Sequence, residues 1–327
     1  MRRLATLLLA FCAVACYAQD HVRFIVTGDD RWDTGHPRAG QDENGVNVAA
    51  LTRLMKAAMA EKPDVMLLTG DLIGGAKTDA EEQSQFDTWI KVMQPVYDSG
   101  IKILTGIGNH EMHAPHADDV WRKAMSGNRA NPDNGPQAEK GTTYSYVLRN
   151  CLFISLDEFQ EDSPTINQKW LDGVLKAPHP PHVFAFAHKA AFYVGHHDDL
   201  MTTVPAARDT FIESLVDAGA RAVFFGHDHL YDHSAVKLAD WPDGRAIHQF
   251  VVGTAGAPFA KSKPLPDSDG NWKIQRIAHV DEKLGYCVVD VDGPKVTIVF
   301  KAEQSPGVFV AGDTYTYTLS KAGVPSP

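Results

Sequence analysis

Five apolar runs of strand length end alike, each passing through a small residue into an aspartate, asparagine or histidine. They are FIVTGDD (residues 24–30), MLLTGD (66–71), ILTGIGNHE (103–111), FAFAHK (184–189) and VFFGHDH (223–229). Short runs this apolar need burial on both faces, so the chain must build sheets covered by helices. Helix-period segments lie between them. In VNVAALTRLMKAAMAEK, Val48, Leu51, Leu54, Met55 and Ala58 fall on one face, and EEQSQFDTWIKVMQPVYDSG, NQKWLDGVLKA and AARDTFIESLVDAG also read as helices. Strand–helix alternation implies right-handed crossovers, and the carboxyl ends of such strands converge on one edge where ligands bind.

After His229 the pattern changes. HQFVVGTAG, GYCVVDVDG, KVTIVFKA and TYTYTLS are strands without intervening helices, which implies a second, partly antiparallel sheet packed on the first. The expected fold is α/β (α+β): a four-layer αββα sandwich of two mixed sheets flanked by helices. It is read as one domain over residues 19–321, with polar insertions at 113–141 and 261–281 and a tail at 322–327. The first 18 residues, MRRLATLLLAFCAVACYA, have the basic start, apolar stretch and small residues of a secretory leader cleaved after Ala18. That stretch is too short for a confident membrane span. Export to a periplasm or the exterior is expected, and the AVAC stretch ending at Cys16 resembles a lipoprotein box, which makes a lipid anchor there an alternative. Cys151 and Cys287 lie in strand-like runs, where a disulfide and two buried thiols both stay open.

The five endings carry metal-binding groups. An aspartate after glycine is often a turn residue, an asparagine there more so, and a lone histidine is often core. His227 and His229, by contrast, share one face if extended. Brought to one edge, Asp29, Asp71, Asn109, His188, His227 and His229, with His110 beside them, point to a dinuclear metal centre. Oxygen and nitrogen donors without thiolate suit Mn, Fe, Zn, Co or Ni. The formal net charge of -10 and the lack of a basic block exclude nucleic-acid or anionic-membrane binding through broad electrostatics. A small phosphorylated substrate would have to be attracted locally, by metals or a few cations.

The order GD, GDL, GNHE, isolated His and GHDH, spanning about residues 22–260, resembles the calcineurin-like metallophosphoesterases. GNHE, GHDHLY and GTAGAP are most similar to the periplasmic, purple-acid-phosphatase-like branch. The resemblance implies that Asp71 bridges two divalent or mixed-valence ions ~3.5–4 Å apart. Asp29 and His229 would hold the first, and Asn109, His188 and His227 the second. His110 would face the substrate as acid or transition-state stabiliser. The implied activity is an exported phosphohydrolase acting on phosphomonoesters or phosphodiesters, by in-line attack of a metal-bound hydroxide. Residues 113–141, 192–205 and 261–281 are the loops where specificity would lie.

One motif departs from the family. The usual D-x-H histidine is here Arg31, and the tyrosine of the purple branch is here Trp32. Neither can ligate, since a guanidinium stays protonated and an indole only donates. Arg31 can pair with Asp29, Asp30 or Asp33, or it can contact substrate phosphate. His196 and His197 are further candidates for substrate contact. His113 and His116 read as exposed loop residues, His233 as support behind the ligands, and Asn131 to Asp133 as a turn. The rival function is a metallophosphoesterase-like binding protein with a degraded first metal site and no turnover.

Overall fold

The computed structural model describes residues 21–32, 43–161 and 163–319. The leader, Cys16, Asp33 and the tail at 322–327 lie outside the described residues. Strands β1 (His21–Thr27), β2 (Val65–Leu68) and β3 (Lys102–Thr105) run parallel, joined through α1 (Val48–Ala60) and α2 (Asp79–Asp98). Asn47 caps α1 by accepting from the Ala50 N–H, and Ala50, Leu51, Leu54, Met55 and Ala58 form its buried stripe. Thr78 caps α2, Asp79, Glu81 and Glu82 sit at its positive end, and Phe86, Trp89, Met93 and Val96 face inward. A third helix, α3 (Ala117–Ala124), lies inside what the sequence suggested was a polar insertion. It is short, but Ala117, Val120, Trp121 and Ala124 repeat at helical spacing and are buried.

The second sheet takes β4 (Tyr144–Leu148), β5 (Cys151–Ser155), β6 (His182–Phe186), β7 (Ala222–Phe225), β8 (Tyr231–Leu238), β9 (Ile247–Val252), β10 (Ser268–Asp269) and β11 (Trp272–Val280). Helices α4 (Gln168–Lys176) and α5 (Pro205–Asp217) connect its parallel members β5, β6 and β7. The insertion expected at 261–281 is largely β10 and β11, paired onto β8.

The last strands depart from expectation. β12 (Gly285–Asp292), β13 (Lys295–Ser305) and β14 (Val308–Thr318) extend the first sheet, with β12 antiparallel to β1, rather than forming a second sheet of their own. The sheet orders are β14-β13-β12-β1-β2-β3 and β10-β11-β8-β9-β7-β6-β5-β4. Both are mixed, as expected. Alternation along β1 divides the core. Phe24 and Val26 enter the layer between the sheets, while Ile25 faces the layer under α1, α2 and α3. Phe24 meets Phe153 and Phe184 edge to face at 5.0 and 4.8 Å, joining the two sheets through aromatic rings. A third apolar layer packs α4 and α5 on the outer face of the second sheet. Cys151 and Cys287 are both free and buried in the middle layer.

Two minor readings change. Asn131 is buried rather than a simple turn residue: its Oδ1 accepts from the Thr105 N–H, and its Nδ2 donates to the Thr105 and Gly141 carbonyls. It thereby fixes the end of β3, just before GIGNHE. His233 does not support the candidate ligands. Its Nδ1 lies 2.7 Å from Asp313 and its Nε2 2.7 Å from His248 Nδ1, and His248 stacks on Tyr315 at 3.7 Å.

This buried network makes a pH prediction. Burial, then neighbouring His233, pushes the His248 pKa down from 6.5 to about 3. Below pH 6.5 the unfolded chain takes this proton before the folded one does. Stability tied to neutral His248 is therefore present above 6.5 and is lost as pH falls toward 3. In urea titrations across that window, His248→Gln should reduce the pH slope by up to ~1.4 kcal/mol per unit. Identical slopes in the two proteins would remove His248 from the acid response.

Candidate metal centre

All six expected ligands gather at one edge of the fold, three from each sheet. Asp29, Asp71 and Asn109 follow β1, β2 and β3. His188 and His227 follow β6 and β7, and His229 immediately precedes β8. Asp29, Asp71 and His227 have φ values of 63°, 53° and 69°. Aspartate and histidine enter this left-handed region more readily than most residues, at a cost on the order of 1–3 kcal/mol each. Glycine makes room beside two of them. A Cβ on Gly108 would lie 2.2 Å from Asp71 Oδ1, and one on Gly226 would lie 2.4 Å from Asp29 Oδ2.

The donors form two groups that share Asp71: Asp71 with His188 and His227, and Asp29 with Asp71 and His229, the donor atoms of each lying within 4.8 Å of one another. The outward nitrogen of each ring settles how it can serve. His188 Nδ1 lies 2.8 Å from the Thr69 carbonyl, and His229 Nδ1 lies 2.7 Å from the Pro258 carbonyl. A carbonyl only accepts, so both Nδ1 atoms carry hydrogen, and in the neutral rings the Nε2 lone pairs face the centre. His227 reverses the assignment. Its Nε2 is 3.0 Å from Asp199, which leaves Nδ1 turned inward, 3.2 Å from His188 Nε2. Asn109 Oδ1 is 3.1 Å from the same His188 nitrogen. A set of inward lone pairs around one carboxylate is what a divalent cation requires, so the Asp71–His188–His227 group with Asn109 fits such an ion.

Protonation follows from the same contacts. Burial pushes Asp29 well above the usual carboxylate range. Burial acts the same way on Asp71, but His188, then His110 and Arg31, outweigh it and hold that carboxyl well below the range. Burial alone would lower His188, yet Asp71 at 3.3 Å raises it to about 10. A divalent ion would compete with that proton for Nε2. Burial brings His227 down to about 4, so the ring is neutral near pH 7, the form a ligand needs.

His110 lies at the mouth of this arrangement, partly exposed. Its Nδ1 is 2.6 Å from the Gly74 carbonyl, and its Nε2 is 3.9 Å from Asp71. His197 reaches the centre: its ring is 4.2 Å from the His227 ring and 6.1 Å from that of His229. His196 stands one ring further out, 4.4 Å from His197. His113 and His116 are exposed, as expected.

Three positioning residues escaped the sequence reading. Buried Glu111 accepts from the backbone N–H groups of Asp71, Leu72, Ile73 and Gly108, clamping the second motif to the third. Its place in GNHE was the available signal. Glu158 accepts from the N–H groups of His188 and Lys189. Asp199 orients His227, and nothing in the loop GHHDDL singled it out. With that orienting carboxylate removed in Asp199→Ala, metal affinity should fall ~10–100-fold. Chelator competition measures this, and wild-type affinity in the variant would show that His227 needs no such partner.

Arg31 departs from two of the pairings expected of it. Rather than pairing with Asp29 or Asp30, it places Nε 3.2 Å from Asp71 Oδ2 and Nη2 3.4 Å from His229 Nε2. The guanidinium thus engages two of the three donors in the Asp29–Asp71–His229 group. That group has suitable atoms for an ion, but a cation already stands among them. Trp32 is buried beside it, its backbone N–H donating to the Gly45 carbonyl.

Comparison with known proteins bears on the family and the fold. Residues 22–231 match the sequence profile described as Calcineurin-like phosphoesterase. The chain is 27% identical over 213 residues to the serine/threonine-protein phosphatase CPPED1 of Mus musculus, a match covering 61% of this chain and 64% of the relative. The match therefore spans slightly less than two thirds of that relative's length. Among solved structures, the purple acid phosphatase PPD1 from yellow lupin (Lupinus luteus) seeds superposes with a TM-score of 0.66 at 14% identity, over 93% of this chain and 55% of that one. GAP50, the anchor in the inner membrane complex of Plasmodium, superposes with a TM-score of 0.57 at 12% identity, over 94% and 95%. At these identities the two superpositions speak for the fold alone.

Proposed function

The chain belongs to the calcineurin-like phosphoesterase family, and from that premise we propose that it is a divalent-metal-dependent hydrolase of phosphomonoesters or phosphodiesters. The observation that carries this reading is the set of ring nitrogens from His188, His227 and His229 turned inward around Asp71. Asp71, His188, His227 and Asn109 would hold an ion, which when bound supplies Lewis-acid polarisation of a phosphoryl oxygen. Asp71's membership of both donor groups supports the dinuclear metal centre expected from the sequence. The contacts of Arg31 count against a metal in the Asp29–Asp71–His229 group. His110 keeps one ring nitrogen on the Gly74 carbonyl, which leaves Nε2 to meet the leaving group or the developing charge. His197, its ring tilted against that of His227 at 4.2 Å, would border the substrate.

Export belongs to this proposal through the leader expected over residues 1–18. A mature protein that retained those residues would remove export from it. Hydrolysis of aryl phosphate mono- and diesters, followed after chelation and again after reloading with Mn, Zn, Fe, Co or Ni, tests the activity. Turnover should vanish on chelation and return on reloading, with His110→Ala as the control. Activity indifferent to the metal, or equal in the control, would sink the reading and favour the non-catalytic binding protein.

A further inference from the structure

Resting on the phosphoesterase reading, we infer that the Arg31 guanidinium replaces the first divalent ion. The chain then binds one ion, at Asp71, His188, His227 and Asn109, beside a fixed organic cation whose Nη1 takes a phosphate oxygen of the substrate.

The contacts describe a substitution. Asp71 still bridges two cationic positions: Oδ1 lies 3.3 Å from His188 Nε2 on the side of the ion, and Oδ2 lies 3.2 Å from Arg31 Nε on the other. His229, whose lone pair an ion would use, instead faces Arg31 Nη2 at 3.4 Å. Asp29 has a partner that needs no metal, because the His227 N–H lies 3.1 Å from each of its oxygens. The arginine is also held in place from its own backbone. Its N–H donates to the Asp71 carbonyl at 3.1 Å, and Arg31 forms an isolated antiparallel bridge with Val46.

The remaining group points to a ligand. Arg31 is only 9% exposed, and its buried Nη1 has no hydrogen-bond partner among the described residues. A buried guanidinium nitrogen without an acceptor is costly, and a phosphate oxygen is the acceptor its fork suits best. Charge agrees. One divalent ion and the guanidinium outweigh the carboxyl groups of Asp29 and Asp71, so the centre stays net positive toward an anionic substrate. Unlike a metal, a guanidinium cannot dissociate, and it cannot deprotonate at any working pH.

The test is a count of ions. Purified chain loaded with Mn(II), desalted and analysed by plasma mass spectrometry should hold one ion, and Arg31→His should hold two, because an imidazole restores a donor. Two ions in the wild type would overturn the inference, as would one ion in both proteins. Calorimetry with inorganic phosphate tests the other half: Arg31→Gln should weaken binding to the metal-loaded chain by ~10-fold or more. Equal phosphate affinity would overturn the role of Nη1. If a variant fails to fold, the wild-type count still decides. One ion per wild-type chain without metal-dependent turnover would sink the phosphoesterase reading and leave the substitution standing.

Discussion

Changing Asp71 to asparagine should lower kcat/KM by ~10³-fold or more, a loss of ~4 kcal/mol in transition-state stabilisation, and should strip the chain of stoichiometric metal. Asp71 is the one carboxylate common to both donor groups, and its two oxygens face His188 and Arg31 in turn. Asparagine keeps the shape and tolerates the left-handed backbone at this position, where φ is 53°. The substitution therefore isolates the charge. Three further groups lose their partner. His188 would no longer be drawn to hold a proton, Arg31 would be left buried without its carboxylate, and the His110 N–H would lose an ionised acceptor. Removing one member of a buried ion pair typically costs ~3–5 kcal/mol of stability, so a lower melting temperature should accompany the lost activity. Near-wild-type turnover and metal content in Asp71→Asn would place the chemistry elsewhere in the molecule.

His110→Ala should lower activity by ~10²–10⁴-fold, the range general acid catalysis commonly contributes, while leaving the ion bound. The Gly74 carbonyl at 2.6 Å takes the Nδ1 hydrogen, so Nε2 can donate to a leaving group only from the protonated ring, the form that burial disfavours. A proton donor matters most when the leaving group is a poor one. The loss should therefore be larger for alkyl phosphates than for nitrophenyl phosphate, and a series of leaving groups should give a steeper dependence in the variant. A uniform loss across that series would assign His110 to charge stabilisation instead of proton transfer. Unchanged metal content is the necessary companion result, because His110 lies outside both donor groups.

Much of the candidate centre was legible because each expected ligand is announced locally, by a strand that stops on a donor. β1, β2, β3, β6 and β7 carry that signal in a few consecutive residues, and the alternation of burial along them is equally local. Partner choice is not local. Val26 pairs with Cys287, 261 positions later, and nothing within either run says that the tail joins the first sheet instead of making another. The helix α3 was missed because its apolar stripe is short and interrupted by acids and bases. The same distinction holds within the site. Glu111, Glu158 and Asp199 act on backbone or ring atoms that folding brings to them, so their roles exist only in three dimensions. Arg31 shows the limit best: the sequence shows what it cannot do as a ligand, but not that it would reach across to Asp71 and His229.

The division of donors between the sheets also sets a timetable. Asp29, Asp71 and Asn109 emerge early in synthesis, but the histidines facing them lie between residues 188 and 229. The strand carrying Asp29 gains its second neighbour only with β12, at residues 285–292. A nascent or truncated chain therefore owns a few scattered carboxylates and rings, none of them a trap for a passing ion. The donor set of Asp71, Asn109, His188 and His227 is complete only once the chain has been made through residue 227. A chain stalled before His227 should be recovered without stoichiometric metal.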